Sequence, residues 1–193
     1  MDTLPSKFMA HRPRSDTRQQ TTCGSCWAHA TVAALSSRHP GPEFSQATDN
    51  EILRNSWHNH GCAGGSVKNA YIHCMMHGLQ AADGRRYKLR GWKDLAGAGI
   101  FELKHELFNH GALAVHMHEY PSMRHASGTS AWRPRPDETA IGVHAVAIIG
   151  WDDRAGGWIV QNSWGNTWAD AGVGIIAYGA AEIEHMAVLC GWF

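Results

Sequence analysis

The sequence predicts an α+β protein, with a helical half followed by a sheet half. Up to about residue 111 the apolar positions recur at helical spacing between caps and glycines. Beyond it they fall in short β-branched and aromatic runs bounded by Gly. Helices gathered first and strands second fit segregated layers rather than alternating βαβ units. The 193 residues suffice for one substantial domain or two lobes sharing a core, and neither an internal repeat nor a low-complexity linker divides them.

The first helix begins at Cys26 and runs to about residue 38. WAHATVAALSSR contains good helix formers with an apolar face at Trp27, Ala30, Ala33 and Ala34. Gly24 and Ser25 precede it as turn and cap, and HPGP at 39–42 stops it. FSQATDNEILRNSW (44–57) predicts a second helix starting near Ser45 or Thr48. GCAGGS (61–66) is a tight loop, VKNAYIHCMMHGL (67–79) a third helix ending at Gly78, and IFELKHELFNHG (100–111) a fourth closed by Gly111. ALAVHMHEY (112–120), VHAVAIIGW (143–151), GGWIVQNSW (156–164) and GVGIIAYG (172–179) predict strands.

Composition narrows the function. Lys plus Arg equals Asp plus Glu at 17 each, so there is no basic field for nucleic acid and no acidic tail. Nine Trp and 21 Gly describe a globular chain with many turns, and the longest apolar runs are strand-sized, too short for a membrane span. MDTLPSKFMAHRPRSD lacks the apolar core of a secretory signal, so the chain either stays in the cell or is a mature fragment. Cys23, Cys26, Cys62, Cys74 and Cys190 allow at most two disulfides and leave one thiol over. The 14 His are scattered, with close pairs at His58 and His60, His73 and His77, and His116 and His118.

The chemistry centres on TTCGSCWAHA (21–30). A zinc site needs four ligands, and no second CxxC accompanies this one. A thioredoxin-like dithiol should follow a strand, whereas RPRSDTRQQTT is polar and irregular. The favoured alternative makes Cys26 a nucleophile at a helix start, where unpaired amides and the helix dipole favour thiolate. His29 lies one turn along the same helix and is read as a packing residue. A base oriented by a third group is available instead in His144, which opens HAVAIIGW, with Asn162 ending the neighbouring strand WIVQN.

QxxCGSCWA, GCAGG, HAVAIIGW and NSWGNTW occur here in the order in which similar motifs occur in papain-like cysteine proteases, and the chain resembles that family along most of its length. The resemblance implies a two-lobed fold: a helical lobe at about 11–110, an antiparallel, barrel-like β lobe at about 111–182, a cleft between them, and terminal arms crossing between lobes. All of 1–193 would be one catalytic domain. It further implies that Cys26 and His144 form the thiolate–imidazolium pair, that Asn162 orients the ring, and that Gln20 supplies an oxyanion-hole amide beside the Cys26 N–H. Trp164 would shield the His–Asn hydrogen bond, with Trp168 packed nearby on the leaving-group side. Gly64 and Gly65 would present backbone to an extended substrate, and Gly24, Ser25 and Val143 would also bind substrate. Ser66, Val67, Gly142, Ala145 and, at the base, Met186 would form the pocket for the substrate's P2 residue, predicting apolar P2 side chains. Where the family usually has Gly-Ser after the glutamine, Thr21-Thr22 stands here.

The same resemblance assigns Cys23 to a disulfide with Cys62 and leaves a Cys74–Cys190 bridge possible. CWAHA and WIVQNSWG look most like cathepsin X, and FELKHELFNHGALAV and IEHMAVLCG like the cathepsin B and X branch. The inserted loops that make those enzymes exopeptidases are absent, so an endopeptidase is expected, with a carboxypeptidase of cathepsin X or B type, a catalytically inactive binding relative and a Cys–His acyltransferase as rivals. Expected partners are peptide or protein substrates, cystatin-like inhibitors and a propeptide. No metal, cofactor, nucleic acid or membrane is expected, and the chain should be monomeric. The compartment would be oxidising: lysosomal, vacuolar or secreted.

Overall fold

The computed structural model describes residues 3–10, 18–37, 42–56 and 58–193. In chain order its elements are strand β1 (Lys7–Met9), helices α1 (Cys26–Ser36) and α2 (Gln46–Asn55), a single helical turn at Gly61–Ala63, and helix α3 (Val67–His77). Strands β2 (Leu79–Gln80), β3 (Arg86–Tyr87) and β4 (Gly91–Asp94) come next, then helix α4 (Ile100–His110). Strands β5 (Leu113–Glu119), β6 (Ala131–Trp132), β7 (Gly142–Asp152), β8 (Gly157–Gln161), β9 (Val173–Ala177) and β10 (Ala187–Trp192) complete the chain. The α+β class holds, and the helices lie where the helical patterns placed them. Most of the HPGP stop after α1, and Trp57, lie outside the described residues.

Local chemistry explains the helix limits. Ser45, in extended backbone, caps α2 by accepting a hydrogen bond from the Ala47 amide at 3.2 Å, and Ser66 caps α3 through the Lys68 amide in the same way. At the far end of α3, Gly78 turns the chain at φ 71°, and a Cβ there would sit 2.7 Å from the Tyr87 carbonyl oxygen.

The main sheet runs β4-β10-β5-β7-β8-β9-β6, with β1 added alongside β7. Every pairing in it is antiparallel except β6 with β9. Period-two alternation gives this sheet two apolar faces. Ala114, Ala145, Ala147, Ile149 and Leu189 join the core built by α1, α2 and α3. Leu113, Val115, Met117, Val146, Ile148, Val188 and Cys190 join a second core with Trp151, Trp158 and Trp168.

This division differs from the sequence reading in two places. Helix α4, counted there with the helical lobe, buries Leu103 and Leu107 in the second core, across the sheet from α1–α3. Its short connection into β5 leads onto the same sheet, and its apolar stripe covers that face. The Cys74–Cys190 bridge does not form. Both are buried thiols, but Cys74 belongs to the first core and Cys190, on β10, to the second. A disulfide needs Cβ atoms that face each other, and strand alternation aims Cys190 away from α3. Strand β10 and the β2–β3 hairpin are additions the sequence reading did not contain. The C-terminal arm reaches the helical side, where the Phe193 ring lies 5.8 Å from Phe44 and 6.2 Å from Tyr87.

Candidate active site

Three segments converge on the face of α1 that meets β7. Cys26 is the first residue of α1, half-buried, with the Trp27 side chain completely buried behind it. The Trp27 indole donates to the Gly61 carbonyl at 3.3 Å and so fixes α1 against the glycine-rich turn. A disulfide between Cys23 and Cys62 ties the same two segments together, as the family resemblance implied. It closes a loop spanning 39 positions, a constraint worth roughly 4 kcal/mol in the chain-entropy model. The approach is too close for side chains. A Cβ on Gly24 would lie 2.6 Å from the Cys62 carbonyl oxygen, and one on Gly65 would lie 2.7 Å from both Asn59 Oδ1 and the Trp27 ring.

His144 enters from β7, almost completely buried. Its Nε2 lies 2.7 Å from Asn162 Oδ1. That oxygen can only accept, so Nε2 carries the proton and Nδ1 keeps its lone pair. Asn162 Oδ1 also accepts from the Ser163 amide at 2.8 Å, which holds the oxygen in place. The Trp164 ring covers the pair at 4.8 Å from the imidazole centroid. Trp168 meets Trp164 edge-on at 5.9 Å, but it is buried and donates to the Met123 carbonyl, so it supports the shield from the core. Arg124 stacks on Trp164 at 5.0 Å.

Burial sets the titration of both reactive groups. It lowers the His144 pKa to about 4, against the Asn162 hydrogen bond, and the nearby His116, Arg124 and His29 push the same way. Burial also pushes the Cys26 thiol up. The backbone amides of Ala145 and Trp27 pull it down, while the half-buried Glu119 adds to the rise. Each charge alone is therefore disfavoured. A proton moved from sulfur to Nδ1 would create both together, the one arrangement in which opposite charges offset each other's desolvation.

Gln20 is clamped at three points. Its amide N–H donates to the Ser163 carbonyl at 2.9 Å, its Oε1 accepts from Ser163 Oγ at 2.5 Å, and its Nε2 donates to the Cys23 carbonyl at 2.9 Å. Gln19 instead bridges Trp164 through backbone and packs its side chain beside Gly165. Of the two glutamines, Gln20 is thus the one whose amide lies against the segment leading into α1. The next residue, Thr21, has φ 52°, a left-handed conformation that is costly for a β-branched side chain. Thr21→Gly should stabilise the fold by about 1 kcal/mol, measured by chemical denaturation; a loss of stability would show that this loop is not strained.

A cavity of about 360 Å³ opens between the lobes, lined by Gly24, Cys26, Cys62, Ala63, Gly64, Gly65, His116, Val143 and His144. Gly142 and Val143 are exposed at its β7 side, and Met186 is half-buried just before β10. Ala145 lies beneath, nearly completely buried. Ser66 is occupied as the α3 cap and is held by Asn59, whose Oδ1 accepts from its amide at 2.7 Å. Val67 is completely buried in the helical core, so it backs the pocket wall and does not face the cleft. Ser25, also buried, caps α1 with its carbonyl, which accepts from the Ala28 and His29 amides. A larger cavity of about 440 Å³ lies on the helical side, lined by Glu51, Asn55, His73, His77 and Arg86, with no nucleophile among the described residues around it.

His29 is not in the cleft. Its Nδ1 lies 3.0 Å from Asp49 Oδ2 in a buried cluster completed by Arg18. Three residues that shape the site were missed by the sequence reading: Ser163, which holds Gln20, Asn59, which holds the glycine strip, and His116, which lines the cleft. His116 carries the one available signal, a polar residue at an apolar position of the ALAVHM alternation.

A helix-borne thiol, an imidazole oriented by an amide and a backbone-lined cleft together define a site for thiol-based acyl chemistry. The chain belongs to the papain family of cysteine proteases, whose family model matches residues 4–96 and 92–190. It is 28% identical over 181 residues to a cathepsin L-like proteinase of Fasciola hepatica, covering 82% of this chain and 55% of the relative. To cathepsin K of Gallus gallus it is 27% identical over 197 residues, covering 90% and 57%. The chain thus spans little more than half the length of these curated relatives. Among solved structures, a digestive procathepsin L 3 of Tenebrio molitor larval midgut superposes with a TM-score of 0.83 at 20% identity, covering all of this chain and 71% of that one. A procathepsin B of Trypanosoma congolense also gives 0.83 at 20% identity, covering 99% and 78%.

Proposed function

We propose that this chain is a cysteine endopeptidase working through an acyl-enzyme. The observation that carries the reading is the His144 Nε2–Asn162 Oδ1 hydrogen bond beneath Trp164, in the same cleft as Cys26 at the start of α1. Nδ1 of His144 takes the thiol proton as Sγ of Cys26 attacks the scissile carbonyl carbon. The Cys26 N–H and the Gln20 Nε2–H hold the oxygen as it becomes an anion, a contribution worth about 10²–10³ in turnover for each donor. His144 then protonates the leaving amine. A water molecule, deprotonated by the same ring, hydrolyses the thioester and returns the thiol. Gly64 and Gly65 pair with the extended substrate backbone.

Within the family we place the chain nearest the cathepsin B and X branch, on its CWAHA and IEHMAVLC stretches, with an open cleft. Its P2 pocket, floored by Met186 and walled by Ala145 with Ser66 and Val67 behind, takes apolar residues. Peptide or protein substrates, a propeptide and cystatin-like inhibitors are its partners, and the Cys23–Cys62 bridge suits a lysosomal, vacuolar or secreted enzyme. The epoxide E-64 should label Cys26 stoichiometrically, and Cys26→Ser should abolish labelling. A correctly folded preparation that is not labelled would overturn the peptidase reading in favour of a binding protein. Fluorogenic peptides with Phe, Leu or Arg at P2 test the pocket, and a preference for Arg would sink its assignment.

A further inference from the structure

On the peptidase reading above, His116 stands in the substrate cleft. Strand β5 sends Leu113, Val115 and Met117 into the second core, so His116 faces the opposite way, into the cleft. It lies opposite Ala145 on β7 and opposite Ala187 on β10, the residue after Met186. It is therefore set between the wall and the floor of the P2 pocket. The ring is half-buried, no hydrogen bond among the described residues reaches it, and neither of its nitrogens is sealed from water. Burial lowers its pKa below the ordinary histidine value, so the neutral ring offers one donor and one acceptor.

A peptide side chain entering this pocket displaces the water that serves those nitrogens. An apolar tip leaves them unsatisfied, whereas a hydroxyl replaces the lost hydrogen bond. The neutral ring gives an ionised carboxylate no counter-charge to offset its desolvation, which disfavours an acidic tip. We propose that His116 makes the pocket select a P2 side chain with an apolar body and a hydrogen-bonding tip, tyrosine over phenylalanine.

The test is kcat/KM on a matched peptide series with Tyr, Phe, Leu or Glu at P2, for the wild type, His116→Leu and His116→Asn. The wild type should prefer Tyr over Phe by roughly 3–10-fold. The ratio should fall to about one in His116→Leu and recover in part in His116→Asn, which retains hydrogen-bonding capacity. A wild-type ratio at or below one overturns the proposal even if neither variant folds, as does a ratio retained in His116→Leu or a preference for Glu over Tyr. Cleavage of the Phe peptide with no Tyr preference sinks this proposal alone. No cleavage of any peptide, with no E-64 labelling, sinks the peptidase reading and this proposal with it.

Discussion

His144→Ala should lower kcat/KM by roughly 10⁴-fold, while the folded state survives. Among the described residues lining the cleft, the imidazole is the group that combines a free lone pair with an orienting partner, through Nδ1 and the 2.7 Å bond to Asn162. Without it the Cys26 thiol, already pushed up by burial, keeps no oriented base, since the other imidazole lining the cleft, His116, has no hydrogen-bond partner among the described residues. A loss of less than about 10-fold would mean that another base serves. The same group sets the acid limb of the rate profile. Its pKa is lowered to about 4, so it is unprotonated above that value and takes up its inactivating proton below it. Activity should hold as pH falls from neutral to about 5 and drop through about 4, because transfer of the thiol proton within the pair can only lower that limit. A limb midpoint near 6.5 would show that burial does not control the base.

Asp49→Ala should cost about 3–5 kcal/mol of folding stability, the largest stability loss we expect from a single side chain outside the cleft. Asp49, Arg18 and His29 are all buried. One carboxylate oxygen takes the Arg18 guanidinium and the other faces His29 Nδ1 at 3.0 Å. Removing the carboxylate takes from a buried guanidinium the counter-charge that Asp49 supplies, and from His29 Nδ1 the oxygen it faces. Denaturation of E-64-blocked protein, which cannot digest itself, is the measurement. A change below about 1 kcal/mol would show that water reaches the cluster. Arg18 lies beside Asn162 and Ser163 around a small internal void, so the variant should also lose activity.

What the sequence disclosed, and what it withheld, follows from how local each feature is. Cys26, His144, Asn162 and Gln20 lie within short motifs whose residues remain neighbours in space. The Cys23–Cys62 pairing was readable for the same reason, since both cysteines sit in such motifs. The side of the sheet that α4 covers was not local information. It depends on which face of β5, β7 and β10 carries the larger side chains, and β10 was not recognised as a strand. Without β10 the opposite orientations of Cys74 and Cys190 could not be seen, nor could the place of His116 between Ala145 and Ala187. Val67 looked like a pocket residue by its position after GG, yet helix α3 starts there and turns it inward.

The clasp on Gln20 has a mechanical consequence. Ser163, which grips Gln20 by carbonyl and hydroxyl, directly follows Asn162, which steers the imidazole. A displacement of this strand end therefore carries the ring's acceptor and the oxyanion amide in the same direction. The Nε2 bond to the Cys23 carbonyl passes that displacement to the segment leading into the nucleophile. On the proposed mechanism, base, anion donor and thiol would thus move as a set with this strand end, and their mutual alignment would survive the movement.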